Sequence, residues 1–195
     1  MNILAFDTST EKFSISILKN NKVVLNLSKI LNKTYSKFLI PILKKSLEQS
    51  KLDIKKINGI FISLGPGSFT GIRLGIAAAK GLGMPYKINI SGFNNMDILL
   101  NSIDSDIKRK KIVTIIKSKK NDYYYQVFDS KKKPIKKISF FSINNLPKFF
   151  FNNNIVFSGD LDTSVSEEIK KKKKKIFFFK RKFSNARMLI NLLIE

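Results

Sequence analysis

The chain has 195 residues, 43% of them apolar, and a formal charge of +23, enough for one domain or two small lobes around a core. It contains no Cys and no His. Disulfides, thiolate chemistry and Ser-His or Cys-His nucleophilic pairs are therefore excluded, as are the usual zinc and non-haem iron sites, while a carboxylate-built Mg²⁺ site stays open.

The elements follow in chain order. Residues 2–7 form a short apolar run. Phe13, Ile15 and Ile17 then alternate with Ser14, Ser16 and Leu18, and a third run spans Lys22 to Leu27 after the turn signal Asn20-Asn21. This pattern predicts three consecutive strands, the last two a hairpin. Phe38, Leu39, Ile42, Leu43 and Leu47 fall at helical spacing from about Thr34 to Ser50, with Pro41 implying a kink or a late start. Asn58 to Leu64 reads as a turn and a buried strand, followed by Gly65-Pro66-Gly67 and a helix from Ser68 to Leu82. Gly83-Met84-Pro85 stops that helix. A strand at Ile88 to Ser91 and a helix at Asn94 to Leu100 complete the first half.

In the second half, Ile112 to Ile116 and Tyr123 to Phe128 read as strands, with a third at Pro134 to Phe141. Ile155 to Asp160 is a strand ending in a turn, Ile176 to Lys180 another strand, and Asn185 to Ile194 a closing helix. The six lysines Lys170 to Lys175 read as a solvated turn or helix end. Hairpin, helix and strand occur twice, which predicts two α/β lobes. The expected division is 1–101, with the closing helix 184–195 packing back on it, and 102–183 as a smaller second lobe.

The segment Gly65-Pro66-Gly67-Ser68-Phe69-Thr70-Gly71 carries the most information. Its glycines permit dihedrals closed to other residues, and Ser68 and Thr70 stand where the first helical amides need capping. The Lys of a phosphate-binding Gly-x4-Gly-Lys-Ser/Thr loop is missing, so that reading fails; the turn alone also fits a plain strand-to-helix connection. In the helix that follows, Gly71, Gly75 and Ala79 form one row and Leu74, Ala78 and Leu82 another. Glycine is costly in a helix, so such rows point to close packing. One row is expected to pack inside while the other side of the helix meets a partner.

Together with Ile3-Leu4-Ala5-Phe6-Asp7-Thr8-Ser9, the stretch Gly65 to Gly75 resembles the TsaB family. Tyr35-Ser36-Lys37-Phe38-Leu39-Ile40-Pro41 is similar to that family's His-Ser-Glu-x-Leu-x-Pro, with Tyr35 for His and Lys37 for Glu. The family's Asp-Ala-Arg stretch reads Lys117-Ser118-Lys119, and its later Gly-Asp-Gly turn reads Ser158-Gly159-Asp160-Leu161. The resemblance implies an α/β, two-lobed, actin-like or sugar-kinase-like fold of ribonuclease-H type, with mixed sheets and a reduced second lobe. In enzymes of that fold, the place of Asp7, Thr8 and Ser9 handles Mg²⁺-nucleotide. In this family the loop is expected to be vestigial and to close a turn, with no metal held.

The resemblance further implies an accessory role: a non-catalytic, cytoplasmic partner subunit that supports threonylcarbamoyl transfer to adenosine in tRNA by the TsaD subunit. The docking residues expected are Ser36, Phe38, Leu39, Ile42, Ile72, Arg73, Gly75 and Ile76, with homodimers using the same helices. No cofactor is expected on this chain alone, with ATP or ADP and Mg²⁺ left to the complex. The alternative is an ATPase or kinase-like enzyme using Asp7 with Mg²⁺-nucleotide.

The charge reads two ways. Lys supplies 33 of the 37 cations, and Lys, Ile, Asn and Phe make about half the chain. Their codons are A/T-rich, so base composition alone inflates Lys at solvated positions. A weak or indirect attraction for tRNA phosphates is the other reading. No run of about 18 apolar residues indicates a membrane span, and Met1 to Asp7 lacks the basic start of a signal peptide.

Overall fold

A computed structural model describes residues 1–30, 35–103, 110–119, 121–160, 163–172, 177–178 and 184–194. The chain divides into two compact units, Met1–Ile98 with Ser184–Glu195, and Leu99–Phe183.

The first unit is built on strands β1 (Ile3–Asp7), β2 (Lys12–Lys19), β3 (Lys22–Ile30), β4 (Gly59–Ser63) and β5 (Asn89–Phe93). They pair in the order β3-β2-β1-β4-β5, antiparallel through the hairpins and parallel from β1 to β4 to β5. Asn20 and Asn21 have φ of 50° and 61° and join β2 to β3 with Lys19 opposite Lys22. Two consecutive left-handed residues are what a twisted two-residue hairpin needs, and Asn tolerates them.

Both faces of this sheet are covered, and the alternation of side chains assigns them. Leu4, Phe6, Phe13, Ile15, Ile17 and Ile60 pack under helices α1 (Tyr35–Gln49) and α2 (Phe69–Gly83). Ile3, Ala5, Leu18 and Phe61 face the other way. They meet Ala186, Met188, Leu189 and Ile190 of the closing helix, which is named α5 below (Ala186–Ile194). Ser14 and Ser16 lie on this second face and are buried. The Ala186 N–H donates to Ser14 Oγ at 2.9 Å. Small hydroxyl side chains thus let a helix end lie close against the strand. Helix α1 runs through Pro41. Thr34 lies outside the described residues, as does the side chain of Tyr35.

Helix α3 (Asn95–Asn101) follows β5, and the division between units falls within it. The second unit holds β6 (Lys111–Lys119), β7 (Asp122–Phe128), β8 (Ser139–Ser142), β9 (Ile155–Gly159) and β10 (Phe177–Phe178). Their order β8-β7-β6-β9-β10 repeats the connectivity of the first sheet strand for strand. Two mixed sheets of the same winding make this an α/β, ribonuclease-H-type architecture used twice.

The second copy is reduced. Where the first unit has α1 between its third and fourth strands, this one has a single 3-10 turn, Lys148–Phe151. Its core is aromatic: Tyr123, Tyr125, Phe141, Phe150 and Phe157 pack with Val165 and Ile169. The last two sit one turn apart on α4 (Thr163–Lys172), a helix absent from the elements expected above. The third strand is shorter than the expected Pro134 to Phe141. Proline has no N–H to give a ladder, so Pro134 makes one isolated bridge to Phe128 and pairing resumes at Ser139. Leu161 and Lys173 to Lys175 lie outside the described residues, as do Ile176, Phe179 and Lys180. Among the described residues no helix is long and apolar enough to cross a membrane.

Candidate functional site

Parallel pairing of β1 with β4 sets Phe6 opposite Ile62, so Asp7 and Ser63 end neighbouring strands at the same edge. Ser63 Oγ donates to Asp7 Oδ1 at 2.5 Å. The same oxygen accepts from the Ser9 N–H at 2.8 Å and from Ser9 Oγ at 2.6 Å. Ser184, just before α5, donates its Oγ to Asp7 Oδ2 at 2.7 Å. Asp7 has no exposed surface. Among the described residues it has no ion-pair partner, and no three acidic side chains gather anywhere.

The two motifs, far apart in the chain, meet here. The Ser68 N–H donates to the Ser9 carbonyl at 2.6 Å, and Thr8 Oγ1 donates to the Gly71 carbonyl at 2.7 Å. Asn95 ties both to α3: its Nδ2 donates to Ser9 Oγ at 2.6 Å and to the Pro66 carbonyl at 3.0 Å, and its N–H to the Gly65 carbonyl at 2.7 Å. Ser68 caps α2, accepting from the Gly71 N–H at 3.2 Å.

This contact explains the glycines. A Cβ at Gly67 would overlap the Ser9 carbonyl oxygen, and one at Gly71 the Thr8 carbonyl oxygen. One at Gly75 would overlap Thr8 Oγ1. Gly65 has φ of 89°, a left-handed conformation other residues rarely adopt. Ser68, Phe69 and Thr70 are the segment's exposed members. Partial burial pushes the carboxyl of Asp97, in the first turn of α3, above its ordinary value.

Ser63, Asn95 and Ser184 were not singled out from the sequence. Ser63 carries a legible signal, a hydroxyl closing an otherwise apolar strand. Ser184 carries none, standing 177 residues from its acceptor.

The expected docking residues divide into two groups. Ser36, Phe38 and Arg73 are exposed, and Ile42, Ile72 and Ile76 are half-buried. Leu39 is only 3% exposed and belongs to the core under α1. Gly75 is buried against Thr8. These two are removed from the docking surface, because each already packs inside its own unit. The helix rows are revised likewise: Gly71, Gly75, Ala78 and Ala79 are all buried, and Leu74 and Leu82 pack on the core. The outer face of α2 is Phe69, Arg73, Ala77, Lys80, Gly81 and Met84. Phe69 is 68% exposed, and the Arg73 guanidinium carbon lies 3.8 Å from its ring centroid.

The family model of TsaD, tRNA N6-adenosine threonylcarbamoyltransferase, matches residues 27–179. The tRNA threonylcarbamoyladenosine biosynthesis protein TsaB of Buchnera aphidicola subsp. Schizaphis graminum (strain Sg) is 36% identical over 117 residues, 60% of this chain and 55% of that protein. The chain spans about half the length of the curated relatives it matches. In structure it is similar to YeaZ from Pseudomonas aeruginosa, with a TM-score of 0.77 at 16% identity over 98% of this chain and 90% of that one. It is also similar to a Bacteroides thetaiotaomicron protein with an actin-like ATPase fold, with a TM-score of 0.59 at 15% identity over 97% and 95% of the two chains. The chain belongs to the tRNA N6-adenosine threonylcarbamoyltransferase family and, within it, to the TsaB group.

Proposed function

We propose that this chain is a non-catalytic, cytoplasmic partner subunit in the synthesis of threonylcarbamoyladenosine in tRNA, docking on a TsaD-like catalytic subunit. The observation that carries the reading is the closed shell around Asp7. Both carboxylate oxygens accept hydrogen bonds from the protein's own serines, three on Oδ1 and one on Oδ2. A carboxylate that serves Mg²⁺-nucleotide must offer lone pairs to the ion or its waters, normally beside other oxygen ligands. The residues at Asp7 do not fit that task, and ATP or ADP with Mg²⁺ belongs to the assembled complex.

Docking falls to the outer faces of α1 and α2. Phe38 on α1 is 48% exposed and Met84, just past the end of α2, 69% exposed, and α2 also carries the Arg73–Phe69 pair. Aromatic side chains, Met and Arg are the residues enriched at interface cores. A homodimer would use the same face when the catalytic subunit is absent, and tRNA would be met through the complex.

The test is co-purification with the TsaD-like subunit from the same source, followed by a tRNA-modification assay with and without this chain. Ala77 is exposed on α2, so Ala77→Arg places a long cation on the face without entering the core. It should reduce recovery of the complex about tenfold or more, the order of a single interface hot spot, with the melting temperature unchanged. Normal recovery would remove α2 from the interface. Nucleotide hydrolysis by the isolated chain, lost in Asp7→Asn, would replace the whole reading with that of an enzyme.

A further inference from the structure

The second unit contains a cavity of about 430 Å³. Val127 and Ile155 give it an apolar floor and Phe149 an aromatic wall. Lys111, Ile135, Lys136, Asn152, Asn153 and Asn154 line the rest, and among the described residues no carboxylate does.

The fold holds these groups in place. The Lys111 N–H donates to the Asn154 carbonyl at 2.8 Å, fastening the asparagine loop to the start of β6. The Ile135 N–H donates to the Val127 carbonyl at 2.8 Å, beside Lys136 in the cavity's lining. The Lys136 ammonium lies 5.5 Å from the Phe149 ring centroid, and that ring is braced edge-on by Phe150 at 5.0 Å. Among the described residues the side chains of Asn153 and Asn154 make no hydrogen bond. On the neighbouring turn, the carboxylate of Asp129 accepts from the Lys131 and Lys133 N–H groups at 2.9 and 2.8 Å. It fixes the turn, which presents Lys131 and Lys133 as exposed cations.

Each component has a separate chemical preference. Ammonium groups take phosphates, a fixed aromatic wall takes a planar base, and amides read base edges through paired donors and acceptors. We infer that this cavity binds one nucleotide of a single-stranded polynucleotide. The phosphate lies on Lys111 and Lys136, the base packs along Phe149, and its edge meets Asn153 and Asn154. A polynucleotide fits better than a free nucleotide because the cations continue past the cavity, through Lys131, Lys133 and Lys137. Residues 99–183 carry twenty-two Lys and Arg against eight Asp and Glu. The site is separate from α1 and α2, which lie in the first unit, so its test and the docking test fail independently.

The experiment is fluorescence anisotropy of the full chain with labelled 12-mer oligouridylate, and with oligothymidylate as the DNA arm. Lys136→Glu is compared with Lys55→Glu, an exposed lysine of the first unit with the same change of charge. Lys136→Glu should weaken binding about tenfold or more and Lys55→Glu less than about threefold, because a local contact exceeds the shared long-range field. Phe149→Leu keeps the charge and the apolar wall but removes the stacking face, and should weaken binding about fivefold or more. Asn154→Asp supplies the same test without touching the core. Losses with RNA alone assign the site to RNA, and losses with both arms assign it to single strands of either sugar. Equal losses in Lys136→Glu and Lys55→Glu would reduce the binding to diffuse charge and overturn the site. So would AMP binding as tightly as the 12-mer, or unchanged binding in both Phe149→Leu and Asn154→Asp.

Discussion

A carboxylate without exposed surface is costly to bury unless its oxygens are hydrogen-bonded. Asp7 meets that condition with four donors, three hydroxyls and one amide, drawn from β1's own loop, the end of β4 and the entry to α5. It therefore joins three segments that no local sequence pattern connects. Removing the acceptor leaves the donors buried. Asp7→Ala should cost about 3 kcal/mol or more, and Asp7→Asn less, because one carbonyl oxygen still accepts. Urea unfolding followed by far-UV circular dichroism measures the difference. A residue kept for chemistry predicts the opposite sign, since active-site groups are often held at the expense of stability. An unchanged or raised unfolding midpoint in Asp7→Ala would therefore remove the structural role assigned to this carboxylate.

At the scale of elements, α2 separates what glycine does from where glycine stands. Gly75 and Gly81 lie in the same helix, yet a Cβ at Gly75 meets Thr8 while one at Gly81 meets nothing within 4 Å. Gly→Ala raises helix propensity equally at both sites, by about 0.5–1 kcal/mol. At Gly81 that gain should appear in full as a higher melting temperature. At Gly75 it should be outweighed by an overpacking cost of about 1–3 kcal/mol, together with loss of the Thr8–Gly71 hydrogen bond. Thermal unfolding of the two variants should thus shift in opposite directions, and shifts of the same sign would refute the close approach of β1's loop. The same helix shows how far the sequence could be read. Its boundaries and Ser68 cap follow from local chemistry, as does the Asn20-Asn21 hairpin. The identity of its buried face does not, because it is decided by a loop some 60 residues earlier in the chain, brought beside it through the parallel β1–β4 pairing. Helix α4 escaped for a local reason: only Val165 and Ile169 mark its apolar side before the lysine run begins.

For the whole molecule the dominant quantity is charge. Residues 99–183 hold twenty-two cations and eight anions, and the remainder fifteen and six, so both parts are basic and the second more so. Such an excess repels itself in the compact state and lowers stability, whatever selected the lysines. The repulsion is long-ranged, so salt screens it: the Debye length falls from about 10 Å at 0.1 M to about 3 Å at 1 M. Raising NaCl from roughly 0.02 to 0.5 M should raise the melting temperature by several degrees, and the rise should then level off as screening becomes complete. A rise that continues in proportion to salt would indicate exclusion of the salt from the surface instead. The same titration bears on why the lysines are there. If base composition alone placed them, charge reversals at lysines of equal exposure should each relieve the repulsion and raise the melting temperature at low salt. Charge reversal at Lys136 should follow that rule for stability and break it only for polynucleotide binding. That combination, a gain in melting temperature with a loss in affinity, distinguishes a cation retained for a ligand from one retained by composition.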